Sequence, residues 1–194
     1  MFERVLRRTP SNMRAFVAID VPPFIEPLSE ELRPEDHLTL HFFADLPAER
    51  QTIVAEAMGE AVVGFRPFDL EVRGVGAFPT PRHPRVVWAG VGEGIATLQP
   101  LVERLRGALE VRGFPPEPRP FVPHLTLSRI RSGSDARWAR RFLSDPANAS
   151  RIWVRARVTE VALKESELLP TGARHTVRIR VPLSDVGSPP PGTP

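Results

Sequence analysis

The chain contains no cysteine, which excludes disulfides, zinc–thiolate centres, iron–sulfur clusters and cysteine nucleophiles. It contains no tyrosine and a single lysine, Lys164. Nearly all its positive charge is therefore arginine, the better fork for a phosphate group. No apolar run approaches the roughly 18–20 residues that span a bilayer. The opening segment carries Arg4, Arg7 and Arg8 and lacks the apolar stretch of a secretory signal, so a soluble, cytoplasmic protein is expected. There is no HExxH, no glycine-rich phosphate loop and no Asp/Glu/His cluster at ligand spacing. Accordingly no metal and no cofactor is expected.

Proline is abundant, with 23 residues in 194. It punctuates the chain rather than forming one block, except in the closing run from Gly187 to Pro194. Residues 184–194 read as a flexible tail and residues 1–12 as a loosely attached, arginine-rich extension without periodicity. Hydrophobic residues make up 41 %, enough to bury a core. The net charge of +3 hides an asymmetry: residues 1–114 carry a balance of −3 and residues 115–194 one of +6. A basic second half suits a phosphorylated or nucleic-acid partner.

Alternation and β-branched content predict strands over 13–21, 37–43, 68–77, 85–91, 121–130, 152–163 and 176–181. Helical spacing of apolar residues predicts helices over 48–63, 95–112 and 135–143, the last capped by Ser134. A proline-rich turn is expected over 79–84. Residues 24–33, with Pro27 inside, allow at most one or two helical turns. The order fits an α+β fold with largely antiparallel strands.

One signal carries chemistry. His-Leu-Thr-Leu occurs twice, at His37–Leu40 and His124–Leu127, each copy in a predicted strand, which suggests two related lobes. Strand alternation puts His37 with Thr39, and His124 with Thr126, on one face, and the leucines on the other. Two such faces across a groove supply two imidazoles and two hydroxyls. That set suits phosphodiester hydrolysis: a neutral ring takes a proton from water, a protonated ring gives one to the departing alkoxide, and the threonines donate to the non-bridging oxygens. The chain has five histidines in all, His37, His41, His83, His124 and His175. Two of five in identical strand tetrapeptides is hard to attribute to chance. On a regular strand His41 would share the face of His37 and could line the cleft; a surface position at the strand end is the alternative. His83 falls in the proline-rich turn and is expected to be exposed. Trp88, Trp138, Trp153, Phe42 and Phe121 are expected to pack in the core.

Paired His-x-Thr-x motifs resemble those of the two-histidine (2H) phosphoesterases, and most closely the RNA 2′,3′-cyclic phosphodiesterases once described as 2′-5′ RNA ligases. The likeness extends to the opening strand from Met13 to Asp20, to Arg85–Val91 (RVVWAGV), to Phe121–Arg129, and to Ala162–Ser166 and Gly172–His175. It covers residues 13–183. It implies one bilobal domain, with two antiparallel β-sheets around a central cleft, helices on the outer faces and a pseudo-twofold repeat. It also implies hydrolysis of RNA 2′,3′-cyclic phosphate ends to 2′-phosphomonoesters. In that scheme His37 is the proton donor and His124 the proton acceptor. Thr39 and Thr126 hold the phosphate, and Arg129 adds charge. A monomer acting on RNA ends, without membrane or metal, is expected. The same acid–base pair run in reverse would join RNA ends, and a binding module without turnover is the other alternative.

The sequence departs from the family in two places. The segment 22–36 is short where relatives place a full helix, and His175 stands where tyrosine is frequent. Neighbouring charges agree with the roles. Glu35 and Asp36 favour a protonated His37, while Arg119, Arg129 and Arg131 favour a neutral His124. Arg129 poses a problem of parity: five residues after His124, an unbroken strand turns it to the leucine face. It reaches a phosphate only if the strand ends or bulges near Ser128.

Overall fold

A computed structural model describes residues 12–25, 28–116, 118–170 and 172–184. Residues 1–11 of the expected extension and 185–194 of the expected tail lie outside the described residues. The strands are β1 (Asn12–Asp20), β2 (His37–Pro47), β3 (Phe68–Thr80), β4 (His83–Val91), β5 (His124–Arg129), β6 (Ile152–Val158), β7 (Glu160–Leu169) and β8 (Gly172–Pro182). The helices are α1 (Gln51–Val62), preceded by a 3₁₀ turn, α2 (Ile95–Glu110), α3 (Gly133–Ser144) and α4 (Pro146–Ser150).

The strands form two antiparallel four-stranded sheets, ordered β2-β1-β7-β8 and β5-β4-β3-β6. Each His-Leu-Thr-Leu strand is an edge strand of its sheet, and the two edges, β2 and β5, meet. Leu38, Leu40, Leu125 and Leu127 anchor them, each at most 1 % exposed. Helices α1 and α2 pack on each other and reach β8 and β2, while α3 and α4 pack on β4 and β3. One apolar cluster draws on both sheets and on α1 and α2.

Several boundaries differ from the sequence reading, each for a physical reason. The alternating run 152–163 is two strands in different sheets, divided at Thr159, where the polar pair Thr159 and Glu160 shifts the apolar phase. The strand expected over 121–130 begins only at His124. The strands flanking the proline-rich turn run on to Thr80 and resume at His83. Edge and end positions tolerate Pro79 and Pro84 there. Ser132, not Ser134, caps α3: its side chain accepts from the Asp135 amide, and Asp135 accepts from the Ser132 amide. That reciprocal pair satisfies two donors that a helix start leaves open. Short α4, begun by Pro146 and capped by Asp145, is too brief to show as a period.

The segment before β2 takes no helix among its described residues. It runs along the outer edge of β5 instead, where the Arg33 and Glu35 amides donate to the Leu127 and Thr126 carbonyls. The Ser128 hydroxyl donates to the Glu31 carbonyl.

Candidate active site

Both motif strands carry a bulge at the same point of the motif. In β2, Thr39 pairs with Ala18 and His41 with Val17, which leaves Leu40 as the extra residue. In β5, Thr126 pairs with Trp88 and Ser128 with Val87, which leaves Leu127 as the extra residue. An extra residue reverses the alternation that follows it. On β5 this brings Arg129 back to the face of His124 and Thr126, which resolves its parity. On β2 the same device carries His41 away from His37 and Thr39. His41 is buried against Phe43, ring centroids 4.6 Å apart, on the α2 side of the sheet. It lines no part of the cleft, contrary to the regular-strand expectation. Burial, assisted by the nearby Arg106 charge, lowers its pKa to about 4.

His37 is nearly enclosed, at 3 % exposure. Its ring stacks on Phe16 with centroids 4.5 Å apart. Nδ1 lies 2.9 Å from an Asp36 carboxylate oxygen, and Nε2 lies 3.7 Å from Glu35. Behind Asp36 stands Lys164, 4.0 Å away and ion-paired with Asp20. Burial works to raise the Asp36 carboxyl, but the His37 hydrogen bond and the Lys164 charge outweigh it and hold the pKa below its ordinary value. Asp36 is thus a carboxylate that fixes which nitrogen of His37 carries the anchored proton. In the sequence Lys164 stands out as the sole lysine and falls in the family-like segment Ala162–Ser166. Its near-complete burial at 4 % exposure marks it as part of this chain of charges.

His124 is held differently. Its Nδ1 lies 2.7 Å from the Val122 backbone carbonyl. A carbonyl only accepts, so Nδ1 carries the hydrogen and Nε2 of the neutral ring carries a lone pair. Burial lowers the His124 pKa. The Val122 carbonyl and the Glu35 charge oppose that shift, and Arg129 adds to it. The ring sits in an aromatic frame, 4.9 Å from Phe78 and 6.1 Å from Trp88 between centroids. Trp88 departs from the core placement expected of it. It is half-buried beside His124, on the face it shares with Thr126. Gly76 opposite makes room for it, since a Cβ there would lie 2.2 Å from the indole. Trp153 does lie in the core, at 2 % exposure.

A third imidazole joins the first. His175, on β8, stands edge-on to His37 at 5.1 Å and to Phe16 at 5.0 Å. Burial, then the His37 charge, lower its pKa. Pairing Ser166 with His175 places it on the face that β7 shares with Lys164.

Glu35 links the two halves. Its amide is fixed to Thr126 of β5, one carboxylate oxygen lies 2.7 Å from the Arg129 guanidinium, and the other faces His37. Beside these groups opens a groove of about 1200 Å³, whose wall includes Glu35, Asp36, Thr126, Arg129, His175 and Trp138. His37, His124 and Thr39 lie outside that wall. Thr39 is half-buried on β2, paired with Ala18. Among the described residues no group of three or more His, Asp or Glu side chains is arranged to hold a metal ion. None of the helices there is long and apolar enough to cross a membrane.

Over residues 27–167 the sequence matches the 2′-5′ RNA ligase superfamily. A protein of Methanothermobacter thermautotrophicus named RNA 2′,3′-cyclic phosphodiesterase is 32 % identical over 180 residues, which cover 85 % of this chain and 96 % of that protein. One of the same name from Archaeoglobus fulgidus is 34 % identical over 176 residues, covering 82 % and 94 %. Among solved structures, E. coli LigT complexed with 3′-AMP superposes with a TM-score of 0.68 at 27 % identity, covering 89 % of this chain and 99 % of LigT. The protein TT0787 of Thermus thermophilus gives 0.68 at 26 %, covering 91 % and 100 %.

Proposed function

The chain belongs to the 2′-5′ RNA ligase superfamily and is a phosphoesterase, and from that premise we propose that it hydrolyses the 2′,3′-cyclic phosphate ends of RNA to 2′-phosphomonoesters by general acid–base catalysis. His124 takes the proton from water as the oxygen attacks phosphorus. His37 gives its Nε2 proton to O3′ as the P–O3′ bond breaks. The Thr39 and Thr126 hydroxyls donate to the non-bridging oxygens, and Arg129 balances the charge that gathers there. Proton exchange with solvent resets the pair.

The observation that carries this reading is the contrast between the two anchors. His124 has its Nδ1 on a neutral carbonyl, and burial favours the uncharged ring, the form a base requires. His37 has its Nδ1 on a carboxylate and a second carboxylate near Nε2. That anchor turns Nε2 toward Glu35 and leaves it as the nitrogen able to deliver a proton. The names of the relatives support the substrate class.

The test is turnover of a cyclic-phosphate oligonucleotide in EDTA, with wild type, His37→Ala and His124→Ala compared. Wild type turns over without added metal, and each variant loses at least about 10²-fold. Full activity in either variant removes its residue from the scheme. The product must be the 2′-phosphomonoester; a 2′-5′-joined product would mean that the reverse reaction dominates.

A further inference from the structure

We propose that Glu35 is an internal stand-in for the phosphate: in the free enzyme its carboxylate occupies the anion position of the cleft, and substrate must displace it. The inference rests on the catalytic reading above and adds to it a competitor supplied by the chain itself.

Glu35 touches two of the groups that the reaction assigns to the phosphodiester. One oxygen is 2.7 Å from Arg129, and the other is 3.7 Å from Nε2 of His37, the nitrogen that gives up the proton. Two oxygens bridging a guanidinium and an imidazole reproduce what a phosphate's non-bridging and leaving oxygens would do. Glu35 also forms part of the groove wall, whereas His37 behind it is 3 % exposed. The carboxylate therefore stands between the groove and the acid. Its backbone is tied to the Thr126 carbonyl, but its side chain is 25 % exposed and can swing into the groove without unfolding the strap that carries it. With Glu35 in place, Arg129 has a counter-ion and the Nε2 side of His37 is covered. An arriving dianion or cyclic monoanion competes for the same two groups and repels the carboxylate.

The experiment measures inorganic phosphate binding by calorimetry to wild type, Glu35→Gln and Glu30→Gln, at one pH and low salt. Glu30 lines the same groove but has no part in the Arg129 or His37 contacts, so it controls for loss of one negative charge. Removing the competing charge should tighten phosphate binding roughly tenfold in Glu35→Gln, against less than about twofold in the control. KM for the cyclic substrate should fall with it. Equal or weaker phosphate binding in Glu35→Gln, at an unchanged melting temperature, overturns the proposal. If Glu35→Gln does not fold, the carboxyl carbon-13 resonance of Glu35 in wild type decides. Phosphate saturation must move it, and a resonance that stays put overturns the proposal. The binding measurements do not depend on turnover. A wild type that converts no cyclic phosphate refutes the catalytic reading and leaves the competition for phosphate separately tested.

Discussion

At the scale of single residues, the five histidines show how far identity alone misleads. His37, His124 and His175 gather around Glu35 or around one another, whereas His41, just past the bulge in β2, is sealed under α2 with Nδ1 unpartnered among the described groups. A buried neutral imidazole has a consequence for acid stability. Its pKa in the fold, about 4, is below the ordinary 6.5. The stabilisation it represents is complete above pH 6.5 and is lost as pH falls toward 4, because the unfolded chain binds the proton more readily. The shift corresponds to about 3 kcal/mol across that window. Chemical denaturation of wild type and His41→Gln at about pH 7 and about pH 4.5 should show a markedly smaller loss in the variant. Equal losses would assign the acid sensitivity to other groups.

At the scale of elements, what the sequence could and could not disclose follows from what alternation encodes. The His-Leu-Thr-Leu repeat is spelled in the chain, and so are the strands bearing it. The bulges at Leu40 and Leu127 are not, because a buried leucine looks the same whether it pairs or is extra. The parity conflict at Arg129 is the one visible symptom, and the same bulge on β2 is what removes His41 from the cleft. The division at Thr159 leaves only a faint mark, two consecutive polar residues, Thr159 and Glu160, across which the apolar phase shifts. Glu35 and Asp36 are visible in the sequence only as charges; which atoms they touch depends on where the strap lies. Composition points Trp88 to the core because an aromatic in an apolar strand usually packs there. The clue to its true place is the glycine across the sheet. Gly76→Ala drives a Cβ into the indole and should cost about 1–3 kcal/mol while displacing the ring from beside His124. Gly59→Ala on α1, where no atom lies within 4 Å of the new Cβ, should stabilise by about 0.5–1 kcal/mol. Thermal melts of both, with activity per folded molecule, check the contrast. An unchanged Gly76→Ala enzyme would show that Trp88 has no part in holding His124.

At the scale of the molecule, the charge asymmetry read from the sequence is partly offset on folding. Arginines of the second half pair with acids of both halves: Arg155 with Glu71, Arg157 with Asp69, Arg180 with Asp20 and Glu160, Arg178 with Glu165, and Arg174 with Glu167. The groove itself mixes Arg33, Arg129, Arg131 and Arg141 with Glu30, Glu31, Glu35, Asp36 and Asp135. On the proposed reading, such a surface would grip the end of an RNA and little of its length. With one or two phosphates contacted, log KM against log salt for a cyclic-phosphate oligonucleotide should have a slope no steeper than about 1.4 in magnitude. A steeper slope would reveal a longer track of phosphate contacts. The amides of Arg33 and Glu35, bonded to Leu127 and Thr126, have a further effect on the molecule as a whole. An edge strand with open carbonyls is a template on which a stranger's chain can add itself. By lying along that edge, the strap that delivers Glu35 and His37 to the site also guards β5 against aggregation through strand addition, so a lesion in it would threaten solubility as well as turnover.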